Sequence, residues 1–132
     1  MPTFREAVEA HDPEAFPALL APGVVFRSPV AFEPYEGREL VAAILRGAFR
    51  VFEDFRYERE LRGDDGRDVA LVFRTRIGDR EVHGCDFLRL DEDGLIEEFT
   101  VMVRPASASK AVSIAMAEQF ALIQQEPAGG AA

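Results

Sequence analysis

Cysteine, tryptophan and long apolar runs are scarce or absent in this sequence. The single cysteine, Cys85, cannot form a disulfide within the chain, which favours a reducing compartment and predicts a cytoplasmic protein. No apolar run approaches the roughly 20 residues that a membrane-spanning helix needs. The charged start, residues 1–6, is not typical of a signal peptide. We therefore expect no association with a membrane.

Basic residues are also few: the chain has 15 Lys and Arg against 24 Asp and Glu, which gives a formal net charge of -9. Binding to a phosphate backbone needs clustered Lys and Arg, so we expect no nucleic-acid partner. A Gly-rich phosphate loop and a Gly-x-Ser-x-Gly elbow are both missing. His83 and Asp86 point to opposite faces of a strand, and no other spacing suits a metal. We expect neither metal nor cofactor.

Apolar residues, by contrast, are plentiful: they make up 48% of the chain and include 11 phenylalanines. The length of 132 residues suits a single domain with one core. We predict that this domain spans residues 1–125 and that residues 126–132, rich in Ala and Gly, form a flexible tail.

Four segments have helical patterns. Thr3 and Glu6 have the spacing of a capping box, and a second short helix follows Asp12, made irregular by Pro17. Residues 38–53 carry the longest apolar stripe at helical spacing. A closing helix over residues 109–124 has an apolar face of Val112, Met116, Phe120 and Ile123.

Strand patterns occur in the sequence between the helical segments. Residues 24–28 form a strand that ends at Pro29, and four strands of period two follow between residues 55 and 104, separated by turns that contain Gly66, Gly78 and Gly94. Helices gathered beside a meandering sheet predict an α+β fold.

One carboxylate lies within an apolar strand face. Asp86 shares its side of the strand with Val82, Gly84, Leu88 and Leu90. An unpaired charge in such a place costs several kcal/mol, so the pattern has two interpretations. Asp86 is either an acid–base group whose pKa is raised in a cavity, or a structural residue bonded to a neighbouring element.

The chain resembles the nuclear transport factor 2-like superfamily over residues 3–104. The resemblance rests on residues 12–14, 25–29 and 86–96 and on Gly37 before the long helix. It implies a cone-shaped, strongly curved antiparallel sheet wrapped around the N-terminal helices and one long helix, with a pocket inside and an extra C-terminal helix. The superfamily includes ketosteroid isomerase, SnoaL-type cyclases, dehydratases and non-catalytic association domains, so the fold alone fixes no activity.

Ketosteroid isomerase matches this chain only in part. Asp86 looks like the protonated aspartate that donates to an oxyanion in that enzyme. At the position of its proton-abstracting aspartate this chain has Ser28, and at that of its helical tyrosine it has Phe4. The resemblance therefore implies that, if the protein is an enzyme, it is a cofactor-independent isomerase, dehydratase or cyclase other than a ketosteroid isomerase.

We predict a protein of the SnoaL-like class that binds a hydrophobic small molecule, with Asp86 as the catalytic residue. The predicted ligand-binding residues are Phe26, Ser28, Tyr35, Phe52, Phe99 and Val101. Each also has a simpler interpretation, as a hydroxyl bonded to backbone or as ordinary core. The alternative function is a non-catalytic dimerisation or association module with a vestigial cavity.

The outer face of the sheet predicts assembly. Val72, Phe87, Ile96 and Met102 share that face and make it too apolar for free solvent, which favours a two-fold homodimer through the sheet. The closing helix must also be covered, either at the mouth of the cone or by a partner subunit. We favour the mouth.

Overall fold

The computed structural model describes residues 2–123, which form four α-helices and six strands. The helices are α1 (Phe4–Glu9), α2 (Phe16–Leu19), α3 (Arg38–Val51) and α4 (Ala106–Ile123). The strands are β1 (Leu20–Arg27), β2 (Tyr35–Glu36), β3 (Glu53–Arg62), β4 (Asp68–Ile77), β5 (Arg80–Leu90) and β6 (Ile96–Arg104). The predicted α+β class is confirmed. The predicted tail, residues 126–132, lies outside the described residues.

The six strands form one curved, open sheet in the order β2-β1-β6-β5-β4-β3. The sheet is mixed, which corrects the prediction of an antiparallel one, because β1 runs parallel to β6 with Phe26 opposite Phe99. The other four pairings are antiparallel. A parallel pair needs a long connection, and the helix and strands between β1 and β6 provide it.

The N-terminal segment follows the predicted pattern with two differences. The capping box of Thr3 and Glu6 is present, but Asp12 makes no side-chain cap and precedes a 3-10 turn at Pro13–Ala15. The first strand begins at Leu20, four residues before the predicted start. Pro22 and Gly23 lie inside it, where the register with β6 shifts and the strand bends.

Ile96 lies on the inner face of the sheet and is only 3% exposed. The prediction that it faces outward with Met102 was wrong. Arg89 pairs with Glu98 and Leu90 with Ile96, so one extra residue of β6 bulges at that point. Such a bulge reverses the alternation of side chains and turns Ile96 into the core.

Helices α3 and α4 pack against each other at Gly47. A Cβ at this position would lie 3.3 Å from Cβ of Gln119 and 3.4 Å from Cδ1 of Ile123. The absence of a side chain therefore lets α4 lie close to α3. Helix α3 ends two residues before the predicted boundary, and no helix of residues 2–123 is long and apolar enough to span a membrane.

Candidate active site

A cavity of about 570 Å³ lies between the inner face of the sheet and the helices. All seven residues predicted from the sequence line it: Phe26, Ser28, Tyr35, Phe52, Asp86, Phe99 and Val101. They come from β1, β2, β5, β6 and the residues that flank β1 and α3, so the curvature of the sheet brings them together. That any of them contacts a ligand stays a prediction.

Asp86 is the carboxylate that the cavity buries. It lies on β5 between Leu71 of β4 and Val101 of β6 and is 6% exposed. Burial disfavours the charged form and raises the pKa of Asp86 from 3.8 to about 7, although a hydrogen bond from Tyr57 partly opposes this rise. The carboxyl group is therefore near half-protonation at neutral pH.

Tyr57 is the partner of Asp86 within residues 2–123. Its hydroxyl donates to Oδ2 of Asp86 at 3.1 Å. Burial, and then the negative charge of Asp86, raise the pKa of Tyr57 well above 10.0, so the phenol stays protonated and remains a donor. No other side chain of the described chain bonds the carboxyl group, so Oδ1 has no side-chain partner within residues 2–123.

Sequence reasoning did not single out Tyr57, although a signal was present. Tyr57 shares the apolar side of its strand with Phe55, and it is one of only two tyrosines in the chain. A buried phenol requires a hydrogen-bond partner, and Asp86 on another apolar strand face was the obvious acceptor.

Aromatic side chains form the wall beside Asp86. The rings of Phe55 and Phe73 stack at 4.8 Å, and Phe55 meets Tyr57 edge-on at 4.9 Å. Phe73 lies over Gly84, where a Cβ would overlap the phenyl ring and approach the carbonyl oxygen of Met102 to 2.8 Å. Gly84 is therefore required for this wall to pack against the sheet.

The opposite side of the cavity is closed by the residues after β1 and by α4. Val112, Met116 and Phe120 of α4 line the cavity, and the ring of Phe120 packs against Tyr35 at 5.4 Å. These contacts of α4 thus agree with the prediction that the closing helix lies at the mouth of the cone. Ser28 follows β1, and its Oγ accepts the N–H of Val30 at 3.1 Å.

Four exposed titratable residues form the edge where the cavity meets solvent, and we call them the rim. They are Glu9, His11, Asp54 and Arg56. His11 and Asp54 have φ of 53° and 51°, and within residues 2–123 they are the only non-glycine residues with positive φ. Sequence reasoning missed the rim because Glu9 and His11 lie at and just after the end of α1, whereas Asp54 and Arg56 lie at the start of β3, and the four share no motif.

The polar groups of the cavity can move protons but are not arranged to hold a metal. Across residues 2–123 no three His, Cys, Asp or Glu side chains form a cluster able to hold a metal ion. Asp86 can donate a proton when neutral and accept one when ionised, and the apolar wall strengthens any hydrogen bond made there.

Comparison with known proteins agrees with this geometry. The model of the family described as SnoaL-like domain matches residues 3–99. A steroid delta-isomerase from Pseudomonas aeruginosa is 44% identical, with a TM-score of 0.86 over 90% of this chain and 87% of that one. A bacterial protein with a cystatin-like fold from Silicibacter pomeroyi is 37% identical, with a TM-score of 0.82 over 87% and 80%.

A third structure resembles this chain in fold alone. It is an NTF2-like protein of unknown function from Mesorhizobium loti, which is 22% identical with a TM-score of 0.66 over 77% of this chain and 85% of that one. Among curated proteins, none matches the sequence.

Proposed function

Because this chain belongs to the SnoaL-like domain family, we propose that it binds an apolar small molecule in its cavity and performs cofactor-free acid–base chemistry on it. The observation that carries the proposal is Asp86, a carboxyl group that is 6% exposed, has a pKa of about 7 and lies in the wall of an apolar cavity. A group with a pKa near the working pH is well suited to give and take protons.

The reaction class follows from the two states of this carboxyl group. Neutral Asp86 donates its proton to a carbonyl oxygen in enolisation, to a hydroxyl oxygen that leaves as water in dehydration, or to an ether oxygen whose C–O bond breaks in ring closure. Ionised Asp86 removes a proton from a carbon or hydroxyl next to that oxygen. Tyr57 keeps one carboxyl oxygen fixed, while Ser28 and Tyr35 orient the ligand. Isomerisation, dehydration and cyclisation all need only these steps.

The similarity to the steroid delta-isomerase favours isomerase chemistry but not the steroid reaction itself. Ser28 stands where the resemblance implies a proton-abstracting aspartate, and its hydroxyl accepts a backbone N–H. Phe4, where a tyrosine is expected, packs edge-on against Phe99 at 5.0 Å. We therefore propose a substrate other than a ketosteroid.

The test compares wild type with Asp86→Asn and Tyr57→Phe. Asn keeps the shape of the side chain but can neither gain nor lose a proton, so turnover of any substrate found by screening should be abolished. Ligand binding should weaken by about 1–3 kcal/mol, the range for a buried hydrogen bond to a strongly polar group. Unchanged binding and turnover in Asp86→Asn would reduce Asp86 to a structural residue.

The second candidate function is a non-catalytic association module, and the outer face of the sheet favours it. Phe87 is 44% exposed and Met102 is 59% exposed, and both lie on that face. If association is the function, Met102→Lys will abolish it while Asp86→Asn leaves it intact. If Asp86→Asn abolishes the function and Met102→Lys leaves it intact, the function belongs to the cavity.

A further inference from the structure

The rim carries two hydrogen-bond donors, Arg56 and His11, that form no ion pair with a carboxylate of residues 2–123. Both rim acids have arginine partners: Glu9 Oε2 lies 3.1 Å from Nε of Arg5, and Asp54 Oδ2 lies 2.8 Å from Nε of Arg76. The guanidinium of Arg56 has a different partner, because its one hydrogen bond within residues 2–123 goes to the carbonyl oxygen of Asp54 at 3.3 Å. A cation bonded only to a carbonyl keeps its full charge for a ligand.

His11 is the second donor on the rim. Its ring meets Phe49 edge-on at 5.8 Å, and Phe49 also lines the cavity. No side chain of the described residues hydrogen-bonds either ring nitrogen of His11. The positive φ of His11 costs on the order of 1 kcal/mol, which a glycine would avoid, and strain of this kind is frequent at functional sites.

The cavity thus has a buried end and a solvent end, and both carry polar groups. Asp86 and Tyr57 are buried, Arg56 and His11 are exposed at the solvent end, and aromatic side chains line the same cavity. A purely apolar ligand would satisfy neither end. A ligand with an oxygen at one end and an anion at the other would satisfy both.

We infer that the ligand is an amphipathic acid: an apolar, preferably aromatic body whose oxygen binds Asp86 and whose carboxylate, at the opposite end, binds Arg56 and His11 at the rim. This inference rests on the proposed function, because it assigns the chemical class of the molecule that the same cavity takes. Both rim carboxylates are ion-paired, although Arg5 also pairs with Glu60 and Arg76 also pairs with Glu53.

Two fluorescent probes that share one body but differ in charge measure what the rim adds to ligand binding. The first is 6-hydroxy-2-naphthoate, and the second is 6-hydroxy-2-naphthamide, which has the same body and hydroxyl but no charge. We expect the naphthoate to bind wild type about fivefold to tenfold more tightly than the amide at low salt and about pH 6, where Asp86 is mostly neutral. Salt should reduce this ratio.

Variants of the rim residues test whether the rim causes the difference in affinity between the naphthoate and the amide. Arg56→Gln should bring the ratio close to one without changing the affinity for the amide, and His11→Gln alone should lower the ratio by a smaller factor. Arg59→Gln is the matched control, because Arg59 is exposed on the same strand, β3, but does not line the cavity. It removes the same charge and should preserve the ratio.

The outcomes distinguish this inference from the proposed function. If both probes bind wild type equally, or if Arg56→Gln keeps the ratio, the amphipathic acid is overturned while the cavity remains a binding site. If the ratio falls equally in Arg59→Gln, the effect is one of overall charge and the assignment to Arg56 is wrong. If neither probe binds in a saturable way, the proposed function falls together with the inference.

Discussion

Tyr57 and Asp86 are joined by a hydrogen bond of 3.1 Å that spans the strand lying between them. Tyr57 belongs to β3 and Asp86 to β5, with β4 in the middle. Tyr57 pairs with Phe73 and Asp86 pairs with Leu71, two residues apart on β4, so the phenol reaches both across β4 and along it. The bond connects the edge of the sheet to the buried acid.

Stability should depend on pH through Asp86. Its pKa is about 7 when folded and 3.8 in its ordinary state, so between these values the folded protein holds a proton that the unfolded chain releases. The stability that comes from protonated Asp86 is therefore lost as pH rises from about 4 to about 7. This loss lowers the free energy of unfolding by roughly 4 kcal/mol. Asp86→Asn removes this dependence and should be more stable than wild type at about pH 8, with near-equal stability at about pH 4.

Chemical denaturation of both proteins across this pH range measures the difference. Asp64→Asn, which changes an exposed carboxylate, is the control and should follow wild type. Parallel curves for wild type and Asp86→Asn would contradict the raised pKa.

Removal of the Tyr57 hydroxyl should move the titration of Asp86 to higher pH. The hydrogen bond from Tyr57 stabilises the charged carboxylate, so Tyr57→Phe leaves burial as the dominant effect and raises the pKa above about 7. The carbon-13 chemical shift of the Asp86 carboxyl group reports this directly. A pKa that falls in the variant would mean that Tyr57 favours the neutral form instead.

Gly84→Ala should destabilise the fold by about 1–3 kcal/mol, the usual cost of overpacking. The new methyl group would meet the Phe73 ring and the carbonyl oxygen of Met102, and a backbone atom cannot move aside easily. Gly23→Ala is the control, because nothing lies within 4 Å of a Cβ there. Thermal unfolding that shows equal losses for both variants would refute the close contact at Gly84.

Access to the cavity should depend on the contact between Phe120 and Tyr35. Phe120→Ala removes this contact and part of the cavity wall, so an uncharged dye such as N-phenyl-1-naphthylamine should bind and dissociate faster. Leu122→Ala, an exposed position of α4, is the matched control. If stopped-flow rates change equally in both variants, α4 does not restrict entry.

The outer face of the sheet should mediate a two-fold homodimer. Met102 and Phe87 are exposed there, and Met102→Lys would place a charge in the contact and produce monomers. Ile114→Lys introduces the same charge on the exposed side of α4 and should leave assembly unchanged. Sedimentation at micromolar concentration measures both, and a monomeric wild type would exclude the dimer.

The fold class and the burial of Asp86 could be predicted because they depend on local periodicity. The period of two placed Asp86 with Val82 and Leu88, and the structure buries all three. The position of Ile96 could not be predicted, since it depends on a bulge that only the pairing of β5 with β6 reveals. The rim was missed for a different reason: His11 and Asp54 have positive φ, which no sequence pattern specifies for these residues.

The parallel pairing of β1 with β6 sets the order in which the cavity can be completed. Phe26 must find Phe99, about 70 positions along the chain, and contacts so distant in sequence form slowly. During synthesis the three strands β3, β4 and β5 can pair as each emerges, because each is the neighbour of the last. We therefore expect the wall that contains Asp86 to assemble before β1 joins it, with its aromatic surface exposed until β6 has left the ribosome.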